Sequence, residues 1–393
     1  MSRRKILFIY DGSLSFVNQR VSETLSRNFS DCELEAFDIR ANIKQNKRFF
    51  LINAFFFVWE YRADLLFGYK DIAALKSSLF VTTYMQKKVK KAVTKIVSNG
   101  NYLFTFQTQS QYDTSVYGTP HYIYTDHTLR ANFLYPNIDY RNFLKPNQYL
   151  LHTEKEIYEN SSLIFTYSDN IKDSLLKQYD IAPSRVAAVG VGYGISPPTA
   201  ISSEKYNSKN ILFVGVDWKR KGGNLLIEAF KLVQKQVPDT TLTIVGCNPI
   251  IDDTPSVNVV GRVPFSKVPQ FYEQAAVFCM PSHREPFGLV YLEAMIYQLP
   301  VVGLPIGVLP ELVSQGDSGY LTQGRPEALA ERLIYLVQQP KVCEQMGKRG
   351  AEIVREWYEW DEVGNRLMQH IRKNLQEHNI DSAVSHSISS KDV

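Results

Sequence analysis

Short runs that are apolar at every position alternate along this chain with longer stretches in which apolar residues recur at helical spacing. The first kind fits strands buried on both faces of a parallel sheet, the second fits helices laid over it. The first strand is Lys5 to Tyr10, and it ends at Asp11-Gly12-Ser13, where such a strand delivers the chain to a ligand-facing loop. A helix from about Phe16 to Asn28 and a strand near Glu33 to Phe37 complete one βαβ unit. Strands follow at Tyr102 to Thr105, His121 to Tyr124, Leu163 to Tyr167 and Val186 to Val191, with helices at Tyr84 to Val97, from Glu154, and from the Ser168-Asp169-Asn170 caps to about Tyr179.

The stretch Gly194 to Asn210 is rich in Pro, Ser and other polar residues and is expected to be a linker. Beyond it the alternation restarts. Strands are predicted at Ile211 to Val214, Thr241 to Val245, Val257 to Val260, Val277 to Met280, Val301 to Gly303 and Gly319 to Leu321. Helices are predicted at Gly222 to Gln236, Val268 to Gln274, Leu289 to Tyr297, Val308 to Ser314 and Pro326 to Gln338. A last helix runs from about Val342 to Asn374 with a break near Trp357-Tyr358-Glu359-Trp360, and periodicity is lost from Gln376, where a disordered tail is expected. Two successive βα series predict an α/β protein of two doubly wound domains facing a cleft.

Composition narrows this picture in a few places. A chain of 393 residues is too long for one ordinary core, and 44% hydrophobic with 21% charged residues is a soluble globular composition. The net charge of +4 by itself implies no nucleic-acid partner. It is unevenly placed, because residues 41–95 hold 11 Lys or Arg against 3 Asp or Glu. Within 41–97, an aromatic run from Phe49 to Trp59 precedes the helix Tyr84 to Val97, whose wheel sets Met85, Val89, Ala92, Val93 and Ile96 against Lys87, Lys88, Lys90, Lys91 and Lys95. One reading is a core-facing helix with a solvated lysine face. The other is a surface for anionic lipid headgroups with aromatic side chains at the interface. The longest apolar run, Phe49 to Trp59, contains Asn53 and is too short to span a bilayer. Cys32, Cys247, Cys279 and Cys343 lack metal-type spacing and read as free thiols in a reducing compartment. No secretory signal is visible, so a cytoplasmic location is expected, with the basic segment able to bring the chain to the inner face of a membrane.

The chemistry concentrates between Pro281 and Ala294. Glu285 and Glu293 flank a strand-to-helix turn at Pro286-Phe287-Gly288, so both can approach one ligand at the start of a helix, whose first N–H groups attract anions. Gly215 ends an earlier strand, and Lys219-Arg220-Lys221-Gly222-Gly223 follows, three cations suited to a polyanion such as diphosphate. His127 follows the C-terminal end of a predicted strand, where ligands bind in open α/β sheets; a satisfied structural histidine is the alternative. A hydrolase acid/base pair at Glu285 and Glu293 is compatible with their spacing. A cationic turn and a free helix start have little use in such an enzyme, whereas a nucleoside diphosphate leaving group needs both.

The segments Phe213-Val214-Gly215, Lys221-Gly222, Val245-Gly246, Gly261-Arg262-Val263-Pro264, Pro281-Ser282, Glu285-Pro286-Phe287-Gly288-Leu289-Val290 to Glu293-Ala294, Pro300-Val301-Val302, Gly307 and Pro310-Glu311-Leu312-Val313 occur in this order. Together they make the C-terminal half resemble the donor-binding domain of glycosyltransferase family 4, the retaining enzymes of the GT-B fold. The resemblance implies two Rossmann-like domains, over 1–195 and 211–355, joined by the linker 196–210. It also implies a helix over 356–375 that returns to the N-terminal domain, ahead of the tail 376–393.

The resemblance further implies a nucleotide-sugar donor, no obligatory cofactor, no metal, and a glycan, lipid or small molecule as acceptor. Lys221 and the N–H groups of Gly288, Leu289 and Val290 are expected on the diphosphate, Glu285 on the transferred sugar, Glu293 on the ribose, and Arg262 and Val263 beside the base. His127 resembles a family histidine that reaches the sugar from the N-terminal domain. Two departures stand out. Val216 occupies a position where the family commonly has Arg, leaving Arg220 to supply that charge, and the first loop offers Gly12 and Ser13 in place of a Gly-Gly pair. A nucleotide-sugar epimerase on the same architecture and a non-catalytic nucleotide-sugar-binding partner remain the alternatives.

Overall fold

The computed structural model describes residues 3–12, 16–44, 47–62, 79–135, 148–251, 254, 256–313 and 317–378. Ser13, residues 45–46 and 63–78 of the basic segment, and the tail beyond 378 lie outside the described residues. The N-terminal half holds β1 (Lys5–Tyr10), β2 (Glu33–Asp38), β3 (Tyr102–Thr108), β4 (His121–Thr125), β5 (Leu163–Thr166) and β6 (Val186–Ala188) in the spatial order β2-β1-β3-β4-β5-β6. The C-terminal half holds β7 (Asn210–Val214), β8 (Thr241–Val245), β9 (Val257–Gly261), β10 (Val277–Cys279), β11 (Val301–Gly303) and β12 (Gly319–Leu321) in the order β12-β11-β10-β7-β8-β9. Every pairing in both sheets is parallel. The largely apolar runs are the reason: β4, β5 and β10 are buried at every position, the polar His121, Thr125 and Thr166 included, as expected of a sheet covered on both faces.

The strand order reverses between β1 and β3 in one sheet and between β7 and β10 in the other. Ligand crevices in open α/β sheets form at such points, outside the carboxyl ends of the strands. The loops after β7 and β10 therefore meet, and Gly222 makes their approach close. Its φ is 75°, and a Cβ there would stand 1.9 Å from the carbonyl oxygen of Pro281. A backbone hydrogen bond of 2.9 Å from His283 to the Arg220 carbonyl ties the two loops together.

The halves touch directly. Tyr167 packs edge-on against Phe287 with ring centroids 5.9 Å apart, and the Tyr135 hydroxyl donates to the Glu285 carbonyl at 2.9 Å. Glu311 accepts from the backbone N–H groups of Asp169 and Asn170 at 3.1 and 2.9 Å, so a C-terminal carboxylate caps the helix Asp169–Gln178 of the N-terminal half.

The final helical stretch breaks where expected, into two helices, Pro340–Trp357 and Trp360–Glu377, parted where Glu359 turns extended at ψ 144°. Other elements differ from expectation. Gln376 and Glu377 belong to the second of these helices and not to a tail. That helix lies on Val17–Asn28, with Arg27 and Asp361 2.7 Å apart and the Tyr122 hydroxyl 3.0 Å from Asn374. The aromatic run Phe49 to Trp59 is part of a helix, Lys47–Glu60. Lys90 leaves the lysine face assigned by the wheel and pairs with Asp113 at 2.8 Å.

Candidate functional site

The turn after β7 carries Lys221 inward, and the turn after β10 carries Glu285 to meet it. Both side chains are buried, and they form an ion pair. Arg220 reaches the same carboxylate at 3.6 Å, donates to the Arg284 carbonyl at 2.9 Å and is held by Asp217 at 3.2 Å. Burial pulls the Lys221 ammonium below its usual pKa even though the Glu285 charge works against this. The helix Leu289–Ile296 begins at Gly288 with φ 97° and has no side-chain cap, so its first N–H groups remain available to an anion.

Glu293 sits one turn into that helix, only 3% exposed, and accepts from the Tyr272 hydroxyl at 3.0 Å. Desolvation pushes its carboxyl up to about 7. Lys221, Arg220, Leu289, Val290, Glu293, Arg262 and Val263 all line one cavity of about 530 Å³ at the ends of the C-terminal strands. Phe265 from the same sheet edge and Phe16 from the N-terminal half complete its wall. A pocket with three cations, an uncapped helix start and a carboxyl deeper in suits a polyanion that also carries hydroxyl groups.

The N-terminal half presents a second cavity of about 330 Å³, lined by Asp126, His127, Gln86, Gln109, Ser110 and Glu154 among others. Burial lowers the His127 imidazole to about 4, helped by the positive charge of Arg284, so it is neutral near pH 7. Among the described residues neither of its ring nitrogens has a partner in hydrogen-bond geometry, although the Asn132 side chain lies near enough to work against the shift, and Gln86 Oε1 has none either. The ring stacks on Tyr135 at 6.2 Å, the residue that bonds the Glu285 carbonyl. Glu154 is held by the Leu129 N–H at 3.0 Å and by the hydroxyls of Tyr158 and Tyr179, while burial raises it to about 7.

Asp126 links the two sides. It lines the second cavity and also a cleft of about 390 Å³ shared with Arg220, Glu285, Gly288 and Leu289. Although partly exposed, its carboxyl rises to about 6, chiefly through desolvation, with the Glu285 charge adding to the shift. Sequence reasoning passed over Asp126 for its neighbour His127; its position at the end of β4 was the available signal. Phe16, Tyr135 and Phe265 were also missed, and as single aromatic residues at the ends of helical turns they carry no pattern.

Gly12 is buried under other contacts: its N–H bonds Asp38 at 3.1 Å and its carbonyl accepts from Asn18 at 3.0 Å. Among the described residues no group of three or more His, Cys, Asp or Glu side chains is arranged to hold a metal ion.

A family model described as "Glycosyl transferases group 1" matches residues 199–353. The chain is 25% identical over 261 residues to a D-inositol 3-phosphate glycosyltransferase of Corynebacterium glutamicum, covering 59% of this chain and 62% of that protein. It is 26% identical over 258 residues to an alpha-maltose-1-phosphate synthase of Mycolicibacterium smegmatis, covering 56% of this chain and 65% of that protein. The matches therefore span less than two thirds of these relatives. Among solved structures, sucrose-phosphate synthase from Thermosynechococcus elongatus aligns with a TM-score of 0.69 at 17% identity, covering 95% of this chain and 100% of that one. HepE of Anabaena, in complex with UDP and glucose, aligns with a TM-score of 0.61 at 16% identity over 94% and 99% of the two chains. These likenesses identify the fold as GT-B, two Rossmann-like sheets facing a cleft.

Proposed function

We propose that this chain is a retaining, metal-independent glycosyltransferase of the family 4 type, moving a sugar from a nucleoside diphosphate sugar to a hydroxyl of a glycan, lipid or small molecule in the cytoplasm. The observation that carries this reading is the gathering of Lys221, Glu285, Glu293 and an uncapped helix start at one reversal of strand order, with Asp126 facing them from the other half.

The diphosphate lies against Lys221, Arg220 and the N–H groups of Gly288, Leu289 and Val290. Glu293 takes the ribose hydroxyls, and Arg262, Val263 and Phe265 border the base. When phosphate oxygens take over Lys221, Glu285 is released to bind hydroxyls of the transferred sugar. The same cations and N–H groups then stabilise the charge that grows on the departing diphosphate, which lowers the barrier rather than merely tightening binding. Neutral His127 donates or accepts a hydrogen bond to the sugar, and the second cavity receives the acceptor. That second cavity favours transfer over epimerisation, because an epimerase has no second substrate to hold.

The test is a panel of UDP-, GDP- and ADP-sugars with candidate acceptors, in the presence of EDTA, followed by mass spectrometry and by the anomeric coupling constant of any product. A product with the donor's anomeric configuration is expected. Absence of nucleotide binding by calorimetry across the panel would overturn the reading.

A further inference from the structure

The helix Lys47–Glu60 has two unlike sides. Phe49, Asn53, Phe57 and the following Tyr61 are buried at helical spacing. On the outside, Leu51, Phe55, Val58 and Trp59 are 77%, 66%, 56% and 61% exposed, and Ile52 is exposed beside them. This is a run of large apolar side chains turned to solvent on consecutive turns, a surface that soluble proteins otherwise keep small.

What lies beside it is cationic. Phe56 stacks on Tyr84 at 5.2 Å, and the Lys88 ammonium stands 5.3 Å from the same tyrosine ring. Tyr84 opens a stripe on the helix Thr83–Ser98 that continues at helical spacing through Lys88, Lys91 and Lys95, all three exposed. Arg62 covers the Trp59 ring at 4.7 Å. Lys90 points away from this surface to Asp113 and is the one lysine of this helix with a carboxylate partner among the described residues. An aromatic and aliphatic face flanked by exposed lysines that have no carboxylate partner among the described residues matches the two layers of a lipid interface, acyl chains below and anionic headgroups above.

We propose that the outer face of the helix Lys47–Glu60, with the lysine stripe of Thr83–Ser98 beside it, docks the chain on the surface of an anionic phospholipid bilayer. Leu51, Phe55 and Trp59 enter the headgroup boundary while Lys88, Lys91 and Lys95 lie against phosphates. No helix among the described residues is long and apolar enough to cross the membrane, so the attachment is peripheral. The buried side of Thr83–Ser98 contributes Gln86 to the N-terminal cavity, so the docking element and that cavity share one helix. The proposal stands independently of the catalytic reading.

The experiment is co-sedimentation of the full chain with vesicles of phosphatidylglycerol and phosphatidylcholine, against vesicles of phosphatidylcholine alone, with light scattering of the free chain alongside. Binding to the anionic vesicles only is expected, with a blue shift of tryptophan emission. Leu51→Ser/Phe55→Ser/Trp59→Ser and, separately, Lys88→Glu/Lys91→Glu should each weaken binding by at least about tenfold. All altered side chains are exposed, and circular dichroism and nucleotide binding should match the parent chain. Failure to pellet with anionic vesicles, or equal pelleting with neutral ones, would sink the proposal. So would a dimer of the parent chain that the triple serine variant turns into a monomer, which would assign the face to a second copy.

Discussion

The two halves of this molecule repeat one architecture and differ in how their sites are charged. In the C-terminal half the functional groups arrive already paired: Lys221 with Glu285, Arg220 with Asp217, Glu293 with Tyr272. In the N-terminal half, the groups facing the cavity include a neutral histidine and a Gln86 oxygen that lack hydrogen-bond partners among the described residues, and the largely desolvated Asp126. Pairing fixes geometry at the cost of adaptability, since two buried charges hold each other in one place. The arrangement suits one half to a constant polyanion and the other to a hydroxyl-bearing ligand whose shape can vary.

This contrast can be broken or sharpened by experiment. The largest effect is expected for Glu285→Ala, which removes the proposed sugar contact and should lower kcat by about 100-fold or more while circular dichroism stays that of the parent. Near-parental turnover would show that the paired site is not where transfer occurs. Lys221→Met should weaken UDP binding in calorimetry by roughly thirtyfold, because the diphosphate loses a buried cation. Asp126→Asn should lower turnover by about tenfold and leave UDP affinity within about twofold, as its place is on the other half. The parent chain should lose activity below pH about 6, where Asp126 protonates, and the variant should lack that limb. Equal losses of UDP affinity in Lys221→Met and Asp126→Asn would erase the distinction between the halves.

The smallest effect concerns stability. Glu293 binds its proton more tightly folded than unfolded, so its favourable contribution is present at low pH and is lost as pH rises toward about 7. Glu293→Gln keeps the neutral form at every pH. Its stability relative to the parent, measured by urea denaturation without ligand, should therefore improve by ~2 kcal/mol between pH 5 and pH 8. A relative stability independent of pH would mean that Glu293 is not desolvated.

Much of the fold was legible because strands buried on both faces of a parallel sheet are mostly apolar: β10 is so throughout, β5 up to its terminal Thr166, and β4 at its three central positions between His121 and Thr125. Lys221 and Glu285 were legible for a related reason: small residues beside charged ones after a strand have few other uses. The helix Lys47–Glu60 was not, since a run apolar on all sides has no helical period to read. Lys90 was misplaced because a wheel knows nothing of Asp113 on a neighbouring loop.

The sequence by itself determined two βα series and the chemical character of the loop that carries Glu285 and Glu293. Only the tertiary structure decided which loops meet. Strand order is set by which edges pair, a long-range choice that local patterns do not encode, and the reversal beside β7 is what brings Lys221 to Glu285. The same long-range packing turned Asp126 toward that pair, gave it a raised pKa, and left Leu51, Phe55 and Trp59 on the outside.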